Sequence, residues 1–227
     1  MKNPSYSKTL TANCKPKTVR FLITTGPTQE PLDPVRFISN YSTGTMGYVL
    51  AREAQRQGYK VTLISGPTHL RPPEGVRLIF VTTAEEMYEA VKKQFRKSDC
   101  LIMTAAVCDF KPLKFSGSKI DKEGFGKLEL EKTTDILYEM GKIKGQKILI
   151  GFALESENLI KNAREKLRKK KLDLIVAQKL SRNRIPFGKT KVSPILIHRN
   201  GSGQKIPPCS KSQLARIIFR EVSKVIK

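Results

Sequence analysis

Val19-Arg20-Phe21-Leu22-Ile23-Thr24, then a helical stripe at Met46, Leu50 and Ala54, then Val61-Thr62-Leu63-Ile64-Ser65: this opening third decides the fold. A short apolar run, a 3.6-residue apolar period and a second apolar run are the sequence form of a βαβ unit. The pattern repeats. Residues 76–81, 100–104, 147–152, 172–177 and 195–198 read as further strands rich in Val, Ile and Leu. Stripes at Met87, Val91 and Phe95, and at Leu214, Ile217, Ile218, Val222 and Val225, read as helix faces for which core packing is sufficient reason. Such alternation predicts an α/β domain with a mainly parallel central sheet. Two long intervals, 25–43 and 105–127, each follow the C-terminal end of a strand, where open α/β sheets bind ligands, and loops this long serve as lids or binding loops. A third interval, 181–191, is basic and broken by Pro186 and Gly188.

The 227 residues suit one domain with a sizeable core. Residues 1–17 are polar and basic, which predicts a disordered tail ahead of a domain over 18–227. No apolar run reaches the roughly 18 residues of a membrane span, and none heads the chain as a signal peptide, so a cytoplasmic protein with no membrane partner is expected. Cys14, Cys100, Cys108 and Cys209 form no CxxC pair and read as free thiols. Forty-three Lys and Arg against twenty Asp and Glu give a formal charge of +23, which raises nucleic acid as a partner. The densest cluster, Lys161, Arg164, Lys166, Arg168, Lys169, Lys170 and Lys171, reads as one helix and contains no aromatic residue. With no RRM, KH or zinc-finger signature either, specific nucleic-acid binding is not expected. A solvated basic face, with a few charges given to a polyanionic small molecule, is the reading.

Three constellations could carry chemistry. Asn40-Tyr41-Ser42-Thr43-Gly44-Thr45-Met46-Gly47 feeds a helix, so its backbone N–H groups suit an anion, and Gly44 and Gly47 let a phosphate approach closely. An ordinary Ser/Thr cap with turn glycines explains the octet equally well. It is not a dinucleotide fingerprint, because GxGxxG is absent and Ser65-Gly66 stands where an NAD site needs an acid. Gly188-Lys189-Thr190 is no P-loop: the first glycine would fall at Asn183, and a strand rather than a helix follows. HExxH and GxSxG are missing, and no protein metal cage is expected, although a substrate-borne Mg²⁺ needs few protein ligands. Beyond the 100–104 strand, Ala105-Ala106-Val107-Cys108-Asp109 places an acid where a ribose could bind; a loop cap is the plainer role for Asp109. Lys119 lies among Gly117, Ser118, Gly124 and Gly126, the composition of a mobile flap.

These pieces occur together and in order. Gly26-Pro27-Thr28 to Arg36, Ile38-Ser39-Asn40, the Ser42 to Gly47 loop, Ser65-Gly66-Pro67, Ala105 to Asp109, Lys119-Ile120, Asp135-Ile136, Gly151 to Glu155, Lys166-Leu167 and Asp173 to Ala177 together resemble phosphopantothenoylcysteine synthetase, over about residues 18–226. The resemblance implies a Rossmann-like three-layer domain, a homodimer, and a ligase of coenzyme A biosynthesis. Such an enzyme transfers a nucleotidyl group from CTP, ahead of ATP, to 4'-phosphopantothenate with Mg²⁺, then lets cysteine displace the nucleotide. It further implies a flavin-dependent decarboxylase partner, commonly fused ahead of the domain and here expected as a separate protein.

By the same resemblance, Asn40 handles the acyl-nucleotide, Arg36 and Ala106 lie with it around phosphopantothenate, and Lys119 is the flap lysine; Asn40, Lys119 and Arg36 are the catalytic candidates. Gly26, Ser42, Gly44, Gly47, Met103, Thr104, Ala105, Asp109, Lys119, Thr133, Thr134, Asp135, Ile136, Phe152, Lys166 and Lys170 are expected at the nucleotide. Lys166 and Lys170, one helical turn apart, are expected to point the same way. The chain departs from the family at Pro27, Thr45, Asp121, Thr133-Thr134, Gln178-Lys179 and Val192, mostly positions of phosphate and base contacts. An NAD(P)-linked oxidoreductase and a basic nucleic-acid-binding protein are the rival readings.

Overall fold

A computed structural model describes residues 19–122, 126–180, 187–188 and 190–226. The expected tail with Cys14, and most of the 181–191 interval, lie outside the described residues. The elements run β1 (Arg20–Thr25), β2 (Gln29–Pro31), β3 (Phe37–Ser39), α1 (Thr45–Arg56), β4 (Lys60–Ser65), β5 (Arg77–Phe80), α2 (Ala84–Phe95) and β6 (Cys100–Met103), then β7 (Phe110–Pro112), β8 (Leu130–Lys132), α3 (Ile136–Lys142), β9 (Ile148–Glu155), α4 (Leu159–Lys169), β10 (Leu174–Lys179), β11 (Ile195–His198), β12 (Gly203–Lys205) and α5 (Lys211–Ser223).

Phe21, Leu22 and Ile23 are apolar on both faces of β1, which requires cover on both sides and a central position. The sheet order is β12-β11-β10-β9-β6-β1-β4-β5. From β5 through β10 every pairing is parallel, and β11 and β12 then add antiparallel edges. The seven strands read from the sequence all form, and the mainly parallel α/β expectation holds. Chain progress runs outward from β1 through β4 to β5, then returns to start again at β6. The β1/β6 boundary is therefore the topological switch point, where a crevice opens beyond the strand ends.

One core lies under α1 and α5, with Leu50, Ile218 and Phe219 against Phe21; the other lies under α2, α3 and α4, with Met87, Phe95 and Leu167 against Leu22. The Phe21 and Phe219 rings meet edge-on at 5.1 Å, and truncating Phe219 to Ala would cost about 3–5 kcal/mol. Ser210 and Gln213 form a reciprocal capping box that fixes where α5 begins, and Thr83 caps α2 through the Glu86 amide. Val225 is not on the buried face expected for it: α5 ends at Ser223 and Val225 is exposed, while Phe219 takes the core position. The two long intervals are not plain loops. The first folds into the β2/β3 hairpin and the second is bounded by the β7/β8 ladder, so the flap is rooted in paired strands.

Candidate functional site

The switch point is crowded by design of its residue sizes. The Thr25 hydroxyl donates to the Gly44 carbonyl at 2.7 Å, and the Thr104 hydroxyl to the Thr24 carbonyl at 2.7 Å, tying β1, β6 and the start of α1 together. A Cβ on Gly47 would lie 2.3 Å from the Thr25 Cβ and 2.8 Å from the Thr104 hydroxyl, so only glycine lets α1 start this close to the sheet. Gly44 is the N-cap residue with φ 73°, in the left-handed region, and no side chain caps the helix. The ordinary Ser/Thr cap is thereby ruled out. Among the described residues Ser42 accepts only from the Gly44 amide at 3.3 Å, and the Thr43 and Thr45 hydroxyls bond each other at 2.8 Å. The first-turn N–H groups of this twelve-residue helix are left to meet a ligand at its positive end.

A cavity of about 510 Å³ opens there, within the range of small-molecule sites. Its floor is Gly44 and Gly47 on α1 with Met103, Thr104 and Ala105 at the end of β6. Asn40, Ser42 and Ala106 also line the cavity, as does Phe152 on β9. Asp109, Thr133, Thr134, Asp135, Ile136 and Lys170 complete the lining. Asn40 is exposed and lines the cavity; its amide nitrogen donates to the Ala106 carbonyl at 3.0 Å and to the Cys108 sulfur at 3.6 Å, and its amide oxygen accepts no hydrogen bond among the described residues.

The Asp109 carboxylate is exposed and accepts no hydrogen bond among the described residues, so it is not the loop cap favoured from sequence; only its carbonyl is engaged, by the Thr133 amide at 3.0 Å. Asp135 caps α3 through the Tyr138 amide at 3.1 Å and receives Lys170 at 2.9 Å.

Four expected residues stand apart from the cavity lining. Gly26, with φ 77°, turns the chain after β1, where a Cβ would sit 3.0 Å from the Gly66 carbonyl. Lys166 does not point with Lys170: it pairs with Glu155 on β9, while Lys170 turns to Asp135, because Lys170 lies past the last helical residue of α4. Glu155 is held below its ordinary range because hydrogen bonds from Lys166 and Asn162 and the Lys166 charge outweigh the opposing effect of burial. Arg36 pairs with buried Asp33 at 3.0 Å and donates to the Ile120 carbonyl, gripping the flap. Lys119, beside Ile120, is exposed with no ion pair among the described residues.

Sequence reasoning missed Lys211; Gln178, marked from sequence only as a departure from the family, also lines the cavity. Lys211 is half-buried at the first position of α5, lines the cavity and donates to the Gly188 carbonyl at 2.7 Å; burial lowers its pKa. The Ser210-x-x-Gln213 box was the signal that could have placed it. No group of three or more His, Cys, Asp or Glu among the described residues is arranged to hold a metal. Cys100, Cys108 and Cys209 are free and buried, as expected of thiols. No helix of the described residues is long and apolar enough to cross a membrane.

Fold and crevice define a Rossmann-like α/β domain with an anion-receptive site at the switch point. Residues 17–226 match the DNA/pantothenate metabolism flavoprotein C-terminal domain, and the chain belongs to that family. It is 42% identical over 209 residues to the coenzyme A biosynthesis bifunctional protein CoaBC of Borreliella burgdorferi, covering 90% of this chain and 52% of that protein. The Bacillus subtilis CoaBC is likewise 42% identical, over 91% of this chain and 51% of its own length. The chain spans about half the length of these curated relatives. The crystal structure of a CoaBC C-terminal domain superposes with a TM-score of 0.79 at 36% identity, over 92% of this chain and 95% of that one. A Cab2 variant in complex with phosphopantothenate-cysteine shares the fold, with a TM-score of 0.73 at 20% identity over 92% of this chain and 87% of that one.

Proposed function

We propose that this chain is a cytoplasmic phosphopantothenate–cysteine ligase that activates 4'-phosphopantothenate with CTP, ahead of ATP, and releases 4'-phosphopantothenoylcysteine. Family membership and the match to a CoaBC C-terminal domain over 92% of this chain support the class of activity. The observation that carries the reading is the juxtaposition of the uncapped α1 N-terminus with the Asn40 amide on one 510 Å³ cavity.

A carboxylate resists attack by an amine, so it must first gain a leaving group. Its oxygen attacks the α-phosphorus of the nucleotide, pyrophosphate leaves, and an acyl-nucleotide forms. The cysteine amine then attacks the acyl carbon, CMP leaves with the bonding pair, and the amide forms after loss of a proton. The α1 amides and Lys170 suit the phosphates, Phe152 offers an apolar wall to the base, and Asp109 a carboxylate to the ribose. Asn40 orients the acyl group. Mg²⁺ would arrive on the triphosphate and would neutralise phosphate charge there; among the described residues no group of three or more His, Cys, Asp or Glu is arranged to hold it.

A homodimer belongs to this reading. Phe37 on β3, Phe110 on β7, and Leu113 and Phe115 just beyond β7 are exposed apolar side chains, and β2 packs beside β7, so this part of the molecule suits a second copy of the chain. The test is pyrophosphate release with CTP and ATP side by side. Release that needs phosphopantothenate, and a product mass that needs cysteine, are expected; nucleotide hydrolysis indifferent to phosphopantothenate would overturn the reading.

A further inference from the structure

At the opposite pole of the sheet, beside the N-terminal ends of β1, β4 and β5, lies a second cavity of about 390 Å³. Arg20, Lys60, Arg77 and Lys97 line it, with Gln94 and Ser98 from the end of α2 and the turn after it. Strand register gathers three of these cations: Arg20 pairs with Lys60, and Thr62, two residues on, pairs with Arg77. Alternate residues of a strand share a face, so all three project on the side of Leu22, which packs under α2.

Asp99 takes the Arg20 guanidinium in a fork, with both contacts at 3.2 Å. Lys60, Arg77 and Lys97 have no carboxylate partner among the described residues. Like charges gathered without counter-ions repel one another, and a polyanion would relieve that repulsion. Residues 1–18 carry Lys2, Lys8, Lys15 and Lys17 and no acid, so the preceding segment brings no negative charge to them.

Gln94 is an independent pointer. The residue is only 9% exposed and lines the cavity, and its side-chain amide, which makes no hydrogen bond among the described residues, is open to the cavity's water. An amide open in this way can exchange its water for a ligand oxygen at that point. The carbonyls at the end of α2 would repel an anion, but they are already engaged. Lys147 donates to the Ser98 carbonyl and, at 3.4 Å, to that of Arg96, while the Ser98 hydroxyl donates to Phe95 at 2.9 Å.

We infer that this cavity is a second, non-catalytic binding site for a compact polyphosphate, the di- or triphosphate group of a nucleotide or of free inorganic polyphosphate. Lys60, Arg77 and Lys97 hold the charge, and the Gln94 amide fixes one oxygen. A pocket bounded on two sides by sheet and helix favours a small ligand over a nucleic-acid backbone.

The test is calorimetric titration of the full chain with inorganic tripolyphosphate at about 150 mM salt, without Mg²⁺. Lys60→Gln combined with Arg77→Gln should weaken one class of sites about tenfold or more and flatten its salt dependence. Gln94→Leu should weaken the same class about threefold with the salt dependence kept. Both sets of variants should retain pyrophosphate release, since neither touches the switch-point crevice. CTP competing for this class marks a nucleotide as the source, and CTP without effect marks free polyphosphate. Titrations of the charge variant indistinguishable from the parent, a Gln94→Leu variant that binds unchanged, or a short RNA displacing tripolyphosphate at the same salt would each overturn the proposal.

Discussion

The Asn40 amide nitrogen lies 3.0 Å from the Ala106 carbonyl, and that carbonyl also accepts the Thr28 amide at 3.2 Å. One oxygen thus joins the β2/β3 hairpin, the loop after β6 and the residue proposed to orient the acyl group. Asn40→Asp keeps the shape but sets a carboxylate against a carbonyl and beside an anionic intermediate. Amide formation should slow by about tenfold or more, the loss of one charge-free hydrogen bond plus repulsion. Quenched single turnovers analysed by mass should then hold excess acyl-nucleotide.

Gly47→Ala tests the close approach of α1. The new Cβ would meet the Thr25 Cβ at 2.3 Å, too near for any rotamer to relieve, so α1 must withdraw from β1. Overpacking of this kind costs about 1–3 kcal/mol, and in a chain of this size each kcal/mol lowers Tm by about 2–4 °C. Calorimetry should register that fall together with weaker nucleotide binding, because the α1 amides move with the helix.

The parallel core was legible because Val19 to Thr24 and its counterparts are apolar on both faces, a pattern only a doubly covered sheet explains. The short β2/β3 and β7/β8 hairpins were not, since Gln29-Glu30-Pro31 and Leu130-Glu131-Lys132 carry no alternation of their own and form through tertiary contacts. At the site, glycines and small residues announced the crevice, but side-chain direction did not follow from spacing. Lys166 and Lys170 fit one helical face until α4 stops at Lys169, after which nearby Glu155 and Asp135 choose their partners.

Asp33 couples the flap to the hairpin and makes it sensitive to acid. Burial alone would raise its pKa, but the Val35, Ile120 and Arg36 amides and the Arg36 charge hold it below the ordinary value of 3.8. A folded pKa lower than the unfolded one means stability present above about pH 4 and lost as pH falls through the folded value. Asp33→Asn should abolish that part of the acid sensitivity and, at neutral pH, raise proteolysis between residues 113 and 129, because Ile120 loses a charged acceptor. Equal cleavage of parent and variant would show that the flap is held by other contacts.

Lys119 and Asn40 should fail at different steps. Lys119 is exposed beside Ile120, the residue gripped by Arg36 and Asp33, so its charge rides on an anchored stretch of the flap rather than in the crevice floor. Charge on the phosphates peaks as pyrophosphate leaves, and a cation brought over the crevice then stabilises that moment more than the ground state. Lys119→Gln should therefore lower pyrophosphate release itself, by about 100-fold if it contributes as a typical preorganised charge does. Asn40→Asp should leave much of that release intact and slow only the attack of cysteine. Nucleotide should also protect the flap of the parent from proteolysis more than that of the Lys119 variant. Equal loss of pyrophosphate release in both variants would mean that the two residues act in one step, and the assignment of Lys119 to phosphate transfer and Asn40 to acyl transfer would fall with it.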